Sequence, residues 1–130
     1  MNEQVSATSL DAWVISETQH VDVVTSWESL CSTYDAMKFV DPMTDMERLG
    51  EYKWITHNMN SFLSKMRKKL LGCKDEDDMR EAMIRTMNQT TPVDLSTRKA
   101  LVYQKLRQTW LMNQLRTLEL MMNERDSYVE

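Results

Sequence analysis

Apolar side chains recur at steps of three and four residues along most of the chain, which is the spacing of amphipathic helices. A first clear stripe covers residues 22–40 and ends at Asp41-Pro42, because proline disfavours helical geometry in the residue before it. A longer stripe covers residues 44–71, where Thr44 begins a capping box and Gly72 marks the stop. Gly50 lies inside this helix and predicts a weak point with a kink or a break there, since Gly in a helix interior costs about 1 kcal/mol relative to Ala.

Two further helices follow along the chain. Asp75 begins a short one, whose acidic first turn complements the helix dipole. Thr91-Pro92 begins the last one with a capping residue and a proline at the first helical position, and this helix is predicted to end near Asn123. Residues 1–8 are small and polar and predict a disordered N-terminus, while residues 125–130 predict a frayed tail.

The last helix is apolar around most of its circumference. At 100° per residue its apolar side chains span more than about 200°, whereas a surface helix needs only somewhat more than about 100°. This helix must therefore be covered on several sides, either at the centre of a bundle or by a second subunit or partner. The residues predicted to form such an interface are Trp110, Leu111, Leu115, Leu118, Met121 and Met122.

Composition supports a helical fold. The chain contains two Gly, two Pro and twelve Met. This composition disfavours the tight turns of a β fold and favours helices. A chain of 130 residues has the length of a single domain, which we place at residues 9–124. The sequence thus predicts an all-α, single-domain helical bundle of four to five helices, with two long antiparallel members over residues 44–71 and 91–123.

The stretch LMNQLRTLEL resembles a leucine-rich nuclear export signal. Leu111, Leu115, Leu118 and Leu120 are separated by three, two and one other residues, as in that signal. The resemblance covers ten residues, and leucine-rich amphipathic helices often match this pattern. Burial of the same leucines in the core is the simpler interpretation. Use as an export signal remains an alternative only if the end of this helix can detach from the rest of the domain.

Charge is unevenly distributed along the chain. Residues 1–51 contain ten acidic and two basic residues, whereas residues 52–74 contain six basic and no acidic ones, within a net charge of −4. Basic side chains on two helices could neutralise the phosphates of a nucleic acid, or they could pair with the acidic N-terminal third. The candidate nucleic-acid-binding residues are Lys65, Arg67, Lys68, Lys69, Arg98, Lys105 and Arg116.

Catalytic and metal-binding patterns are scarce. Cys31 and Cys73 stand alone, and His20 and His57 have no neighbours at a spacing that indicates a triad or a metal site. Two Gly leave no material for a glycine-rich phosphate loop. The sequence shows neither a secretory signal nor a membrane span. We therefore expect no catalytic residues, no cofactor, no metal and no membrane partner, and an intracellular location in the cytoplasm or the nucleus.

These patterns favour a non-enzymatic protein that acts through helix surfaces, as an adaptor, regulatory or assembly protein. The first partner to expect is a second copy, bound through the last helix as a homodimer, and another protein is the next. The alternative is a helical RNA- or DNA-binding protein that uses the basic patch between Lys65 and Lys69. Small size and unusual composition suggest a viral or accessory regulator, although no motif supports that assignment.

Overall fold

The computed structural model describes the backbone of residues 2–21, 45–89 and 97–129, and the side chains within 9–21, 46–89 and 97–127. Across these ranges the chain forms four α-helices and no strand: α1 (Asn2–Glu17), α2 (Asp45–Leu71), α3 (Glu76–Asn88) and α4 (Arg98–Val129). The predicted all-α bundle is confirmed. The helix predicted over residues 22–40, the break at Asp41-Pro42 and the caps at Thr44 and Thr91 lie outside the described residues.

Helix α2 is continuous from Asp45 to Leu71, which confirms the predicted long helix. It passes through Gly50 without interruption, so the break anticipated at this residue does not occur. The chain leaves the helix at Gly72, as the sequence indicates. One face of α2 is buried from Tyr52 to Leu70 and supplies about half of the hydrophobic core. The buried apolar residues of this face are Tyr52, Ile55, Met59, Phe62, Leu63, Met66 and Leu70.

Capping side chains fix where α3 and α4 begin. Asp75 caps α3, since its carboxylate accepts a hydrogen bond from the Asp78 backbone N–H at 3.0 Å, and this confirms the predicted start. The Thr97 hydroxyl accepts a bond from the Ala100 backbone N–H at 3.3 Å, so α4 begins at Arg98. The predicted start at Thr91-Pro92 lies outside the described residues.

Helices α2 and α4 run parallel, which corrects the antiparallel arrangement expected from the sequence. The side-chain pairs that join them are, in order along the bundle, Glu51 with Arg98, Trp54 with Tyr103, and Phe62 with Trp110. Both numbers rise together from pair to pair, so the two helices point the same way. The physical reason is α3, which reverses the chain between them: Glu76 at its start pairs with Arg125 near the end of α4.

One hydrophobic core joins all four helices. Full burial of a large apolar side chain contributes about 1.5–3 kcal/mol, and the core contains such residues from every helix. Its fully buried apolar members are Val14 of α1; Ile55, Leu63, Met66 and Leu70 of α2; Met83 of α3; and Val102, Leu111 and Leu118 of α4.

Both ends of the described chain lie in helices. The backbone of residues 2–8 is helical as part of α1. This segment contains no Gly or Pro, so nothing in it interrupts the helix that continues to Glu17. Helix α4 extends to Val129, beyond the predicted end at Asn123. Its last turns are supported by Arg125, whose guanidinium bonds the Glu76 carboxylate of α3 at 3.0 Å.

We expect Gly50→Ala to raise the free energy of unfolding by about 1 kcal/mol, because Ala is the better helix former and loses less conformational freedom on folding. Gly50 is exposed, and a Cβ atom there would meet no heavy atom within 4 Å. Urea unfolding followed by circular dichroism measures the change. An unchanged dependence on urea would show that stability alone has moved, whereas a loss of stability would mean that α2 is interrupted at residue 50.

Candidate functional site

The carboxyl end of α1 is held by Arg67 of α2. Arg67 donates from Nε to the Thr18 hydroxyl at 2.9 Å, and from Nη2 to the backbone carbonyls of Ile15 and Thr18 at 3.2 and 3.3 Å. Carbonyls at the carboxyl end of a helix lack intrahelical hydrogen-bond partners and carry partial negative charge. A guanidinium supplies both the missing donors and a positive charge. The Arg67 side chain is thus committed to α1, although the sequence groups it with the candidate nucleic-acid-binding residues.

Other polar side chains of α2 and α4 complete this attachment of α1. Asn60 exchanges two hydrogen bonds with the backbone of Val21, at 2.7 and 3.1 Å. Trp110 donates from Nε1 to the Glu17 carbonyl at 3.0 Å, and its ring packs edge-to-face on Phe62 with centroids 5.6 Å apart. Trp110, which the sequence places in a possible subunit interface, therefore contacts α1 and α2 of its own chain.

The remaining predicted interface residues divide between the core and the surface. Leu111 and Leu118 are fully buried, while Leu115 and Met121 are partly buried against the same core. Met122 is half-exposed. The most exposed apolar side chains of this part of α4 are two residues that were not assigned to the interface, Met112 at 48% and Leu120 at 60% exposure. An export signal that used Leu111 and Leu118 would require α4 to leave the bundle.

Arg98 is buried in an ion pair with Glu51. Its side chain is 5% exposed, and its Nε lies 3.0 Å from the Glu51 carboxylate, whose side chain is 15% exposed. Burial raises the pKa of the Glu51 carboxyl, and the charges of Lys99 and Arg48 offset part of that rise. The sequence assigns Arg98 to a solvent-facing basic strip with Lys105 and Arg116, but the structure places this guanidinium inside the bundle.

A cavity of about 260 Å³ lies between α2, α3 and α4. Lys65 and Lys69 of α2 and Arg107 of α4 line it, together with the rings of Phe62 and Tyr103. No carboxylate occurs among the described residues that line this cavity. Three cations therefore face one concave surface without an acidic side chain in its wall.

Arg107 is fixed in place by aromatic rings. Its guanidinium carbon lies 5.6 Å from the centroid of the Tyr103 ring and 6.0 Å from that of Phe62, and its Nη2 donates to the Gln104 side-chain oxygen at 3.2 Å. Sequence reasoning missed Arg107. The four-residue spacing from Tyr103 on α4 was an available signal, whereas Phe62 could be added only once the parallel packing of α2 and α4 was known.

The other predicted basic residues lie away from this cavity. Lys68 is exposed on α2 between two cavity residues, but it does not line the cavity. Lys105 and Arg116 are exposed on α4 and lie about 16 Å apart along its axis. Lys105 is two residues from Arg107, about 200° around the helix, and so faces away. The seven candidates thus do not form one continuous binding surface.

A second cavity, of about 340 Å³, lies between the end of α2 and α3. Its wall carries two basic residues, Lys69 and Arg85, and two acidic ones, Asp78 and Glu81. Cys73 also lines it, and burial raises the pKa of the Cys73 thiol, with further contributions from Asp78 and Asp75. The wall is therefore balanced in charge, and the surroundings of the thiol disfavour its thiolate form.

The described residues contain neither a metal-binding cluster nor a membrane-spanning helix. Within these ranges, no group of three or more His, Cys, Asp or Glu side chains is placed to hold a metal ion. None of the helices described is both long and apolar enough to cross a membrane.

Comparison with known proteins adds no assignment. No protein-family model matches the sequence, and neither the curated proteins nor the solved structures contain a significant match.

We expect Arg98→Met to lower the free energy of unfolding by roughly 3–5 kcal/mol, because it leaves the buried Glu51 carboxylate without its partner. The double variant Glu51→Met, Arg98→Met should recover most of this loss, since apolar replacement of a buried pair is often neutral. Chemical denaturation of both single variants and the double variant measures the coupling. Simple addition of the two single effects would show that the pair does not act as a unit.

Proposed function

We propose that the chain is a non-enzymatic interaction protein, with an adaptor, regulatory or assembly role, that associates with a second copy through the exposed side of α4. The observation that carries this proposal is the exposure of Met112 and Leu120, at 48% and 60%, on a helix whose other side is buried in the core. Covering such side chains is favourable by about 25 cal/mol per Å² of apolar surface removed from water.

These residues belong to a longer exposed strip, here called the outer α4 surface. At 100° per residue its members fall within an arc of about 160°, with two half-exposed apolar residues on one edge. They are Met112, Leu115, Arg116, Glu119, Leu120 and Met122. Apolar side chains flank a basic and an acidic residue, which is a composition suited to an interface with some polarity.

The outer α4 surface is complementary to itself. A twofold interface brings the same surface of two copies together, so each residue must find its complement within that surface. If two α4 helices cross antiparallel with the axis midway between residues 117 and 118, Arg116 faces Glu119 of the second copy. In the same register Leu115 and Leu120 of each copy lie on opposite edges of the contact, on either side of these charges. The charged pairs are thus flanked by apolar side chains.

The size of this surface sets the expected strength of association. From residue 112 to residue 122 the strip is about 15 Å long and about 10 Å wide, which is well below the ~800 Å² per partner of a standard stable interface. Such an interface supports reversible association that depends on concentration. Such an interface suits a role in which the protein exchanges partners. It is too small to hold a permanent dimer by itself.

We expect light scattering at increasing concentration to show a mass that rises from 15.4 kDa towards twice that value. Leu120→Glu should abolish this rise, because it places a charge where an apolar side chain is covered. Ile15→Glu is the matched control, since Ile15 is also exposed, at 45%, but lies on α1. A mass that stays at 15.4 kDa up to high micromolar concentration contradicts the proposal.

A charge exchange tests the register of the two copies. Arg116→Glu places like charges opposite each other in the proposed dimer, whereas the double variant Arg116→Glu, Glu119→Arg restores an opposite pair. Within its own chain Glu119 forms an ion pair with the exposed Arg80, at 3.8 Å, a contact of little energy. Recovery of association in the double variant supports the antiparallel register, and its absence rules that register out.

Nucleic-acid binding is a second candidate function, favoured by one observation. Lys65, Lys68 and Lys69 are exposed within little more than one turn of α2, and none of them forms an ion pair with a carboxylate in the described ranges. Ammonium groups without such partners can replace the counterions of a phosphate backbone. This observation supports electrostatic contact and carries no sequence specificity.

We expect any binding of RNA or DNA through these lysines to weaken steeply between low and physiological salt, because counterions are released on binding. Replacement of Lys65, Lys68 and Lys69 by Glu should abolish it, while Lys105→Glu on the far side of α4 should leave it largely unchanged. Fluorescence anisotropy with labelled single- and double-stranded oligonucleotides measures both effects. No binding of the unmodified chain at low salt eliminates this candidate.

A further inference from the structure

The cavity that contains Lys65, Lys69 and Arg107 has the chemistry of an anion site. Among its described lining residues the charged side chains are all cationic. Lys65 and Lys69 are four residues apart, on one face of α2 and about 6 Å apart along its axis. Arg107 faces them from α4. The neighbouring cavity, lined by Lys69 and Arg85 against Asp78 and Glu81, has no such excess of positive charge.

Arg107 gives this site a fixed point. Its guanidinium is held by the rings of Tyr103 and Phe62 and by the oxygen of Gln104, and one bond uses only one of its donors. A cation that is already positioned loses little freedom when a ligand binds. A guanidinium also offers paired N–H donors that match two oxygens of one phosphate, whereas the two lysines add mobile positive charge.

Polar groups at the edge of the cavity suit the same ligand. The side chains of Ser61 and Gln89 line it and can donate hydrogen bonds to oxygen. The end of α3 lies near Gln89 and contributes about half a negative charge, which opposes an anion. Three full positive charges outweigh it. The volume of about 260 Å³ lies just below the ~300–1,000 Å³ of pockets for drug-sized ligands, so the ligand is small.

We infer that this cavity binds a small phosphorylated ligand, with Arg107 gripping a phosphate and Lys65 and Lys69 neutralising its charge. The inference goes beyond self-association and is independent of it, because the outer α4 surface lies on another side of the helix. It also differs from electrostatic binding of nucleic acid, in which every exposed lysine of the patch contributes. A diphosphate is the simplest ligand with enough negative charge for three cations.

Titration calorimetry with inorganic pyrophosphate at low ionic strength tests this inference. We expect saturable binding that weakens at least about tenfold in Arg107→Gln, Lys65→Gln and Lys69→Gln, because each removes a charge-assisted hydrogen bond. Lys68→Gln is the matched control: it removes the same charge from the same turn, but Lys68 does not line the cavity. Its effect should stay below about threefold, as expected for a screened charge outside the site.

Adenosine diphosphate in the same titration identifies the source of the phosphate. Binding no tighter than that of pyrophosphate indicates that the phosphates alone are recognised, and tighter binding indicates that the organic group also contacts the site; either result supports the inference. An equal loss in Lys68→Gln and Lys69→Gln overturns it in favour of a diffuse basic patch. Absence of pyrophosphate binding to the unmodified chain also overturns it. Lys65→Gln and Lys69→Gln change exposed residues, so the test does not depend on the folding of Arg107→Gln.

Discussion

The hydrogen bonds of Arg67 are the interaction on which the arrangement of α1 depends. They satisfy the hydroxyl and the carbonyl of the buried Thr18 at the end of α1, which would otherwise lose their contact with water when this helix docks on α2. A buried polar group without a hydrogen bond costs more free energy than a formed bond contributes. The polar groups therefore set the position at which α1 docks, whereas apolar burial supplies most of the free energy of docking. Val14 then enters the core at a fixed place, and the Trp110 ring is held between the Glu17 carbonyl and Phe62.

Local signals in the sequence were sufficient for most of the helices but not for their arrangement. The bounds of α2 and the cap of α3 at Asp75 depend on residues within one or two turns, and such interactions can be recognised in the sequence. The direction of α2 relative to α4 depends on α3, a helix of 13 residues that reverses the chain once more. The spacing of apolar residues carries no information about this reversal. The same pattern would suit either direction.

The residues of the candidate sites show the same limit of prediction from sequence. Lys65 and Lys69 were predicted as binding residues because a basic run is visible along the sequence. Arg98 has the angular position predicted for a surface strip, yet the partner that buries it, Glu51, is 47 residues away. Arg107 was missed for the opposite reason, since the rings that position it come from two helices. Long-range partners therefore decided which cations are structural and which face a cavity.

The parallel packing of α2 and α4 also has a consequence for the order of folding. Contacts between α2 and α3 join residues about 20 positions apart, as in the approach of Thr86 to Met66, so this hairpin can close early and locally. The parallel pair must instead bring together residues such as Glu51 and Arg98, and α1 must find Trp110 across 93 positions. During synthesis, α2 and α3 emerge before α4, and the apolar face that packs on α4 stays uncovered until then. The twelve methionines of the chain, which pack adaptably, suit a core that is completed in two stages.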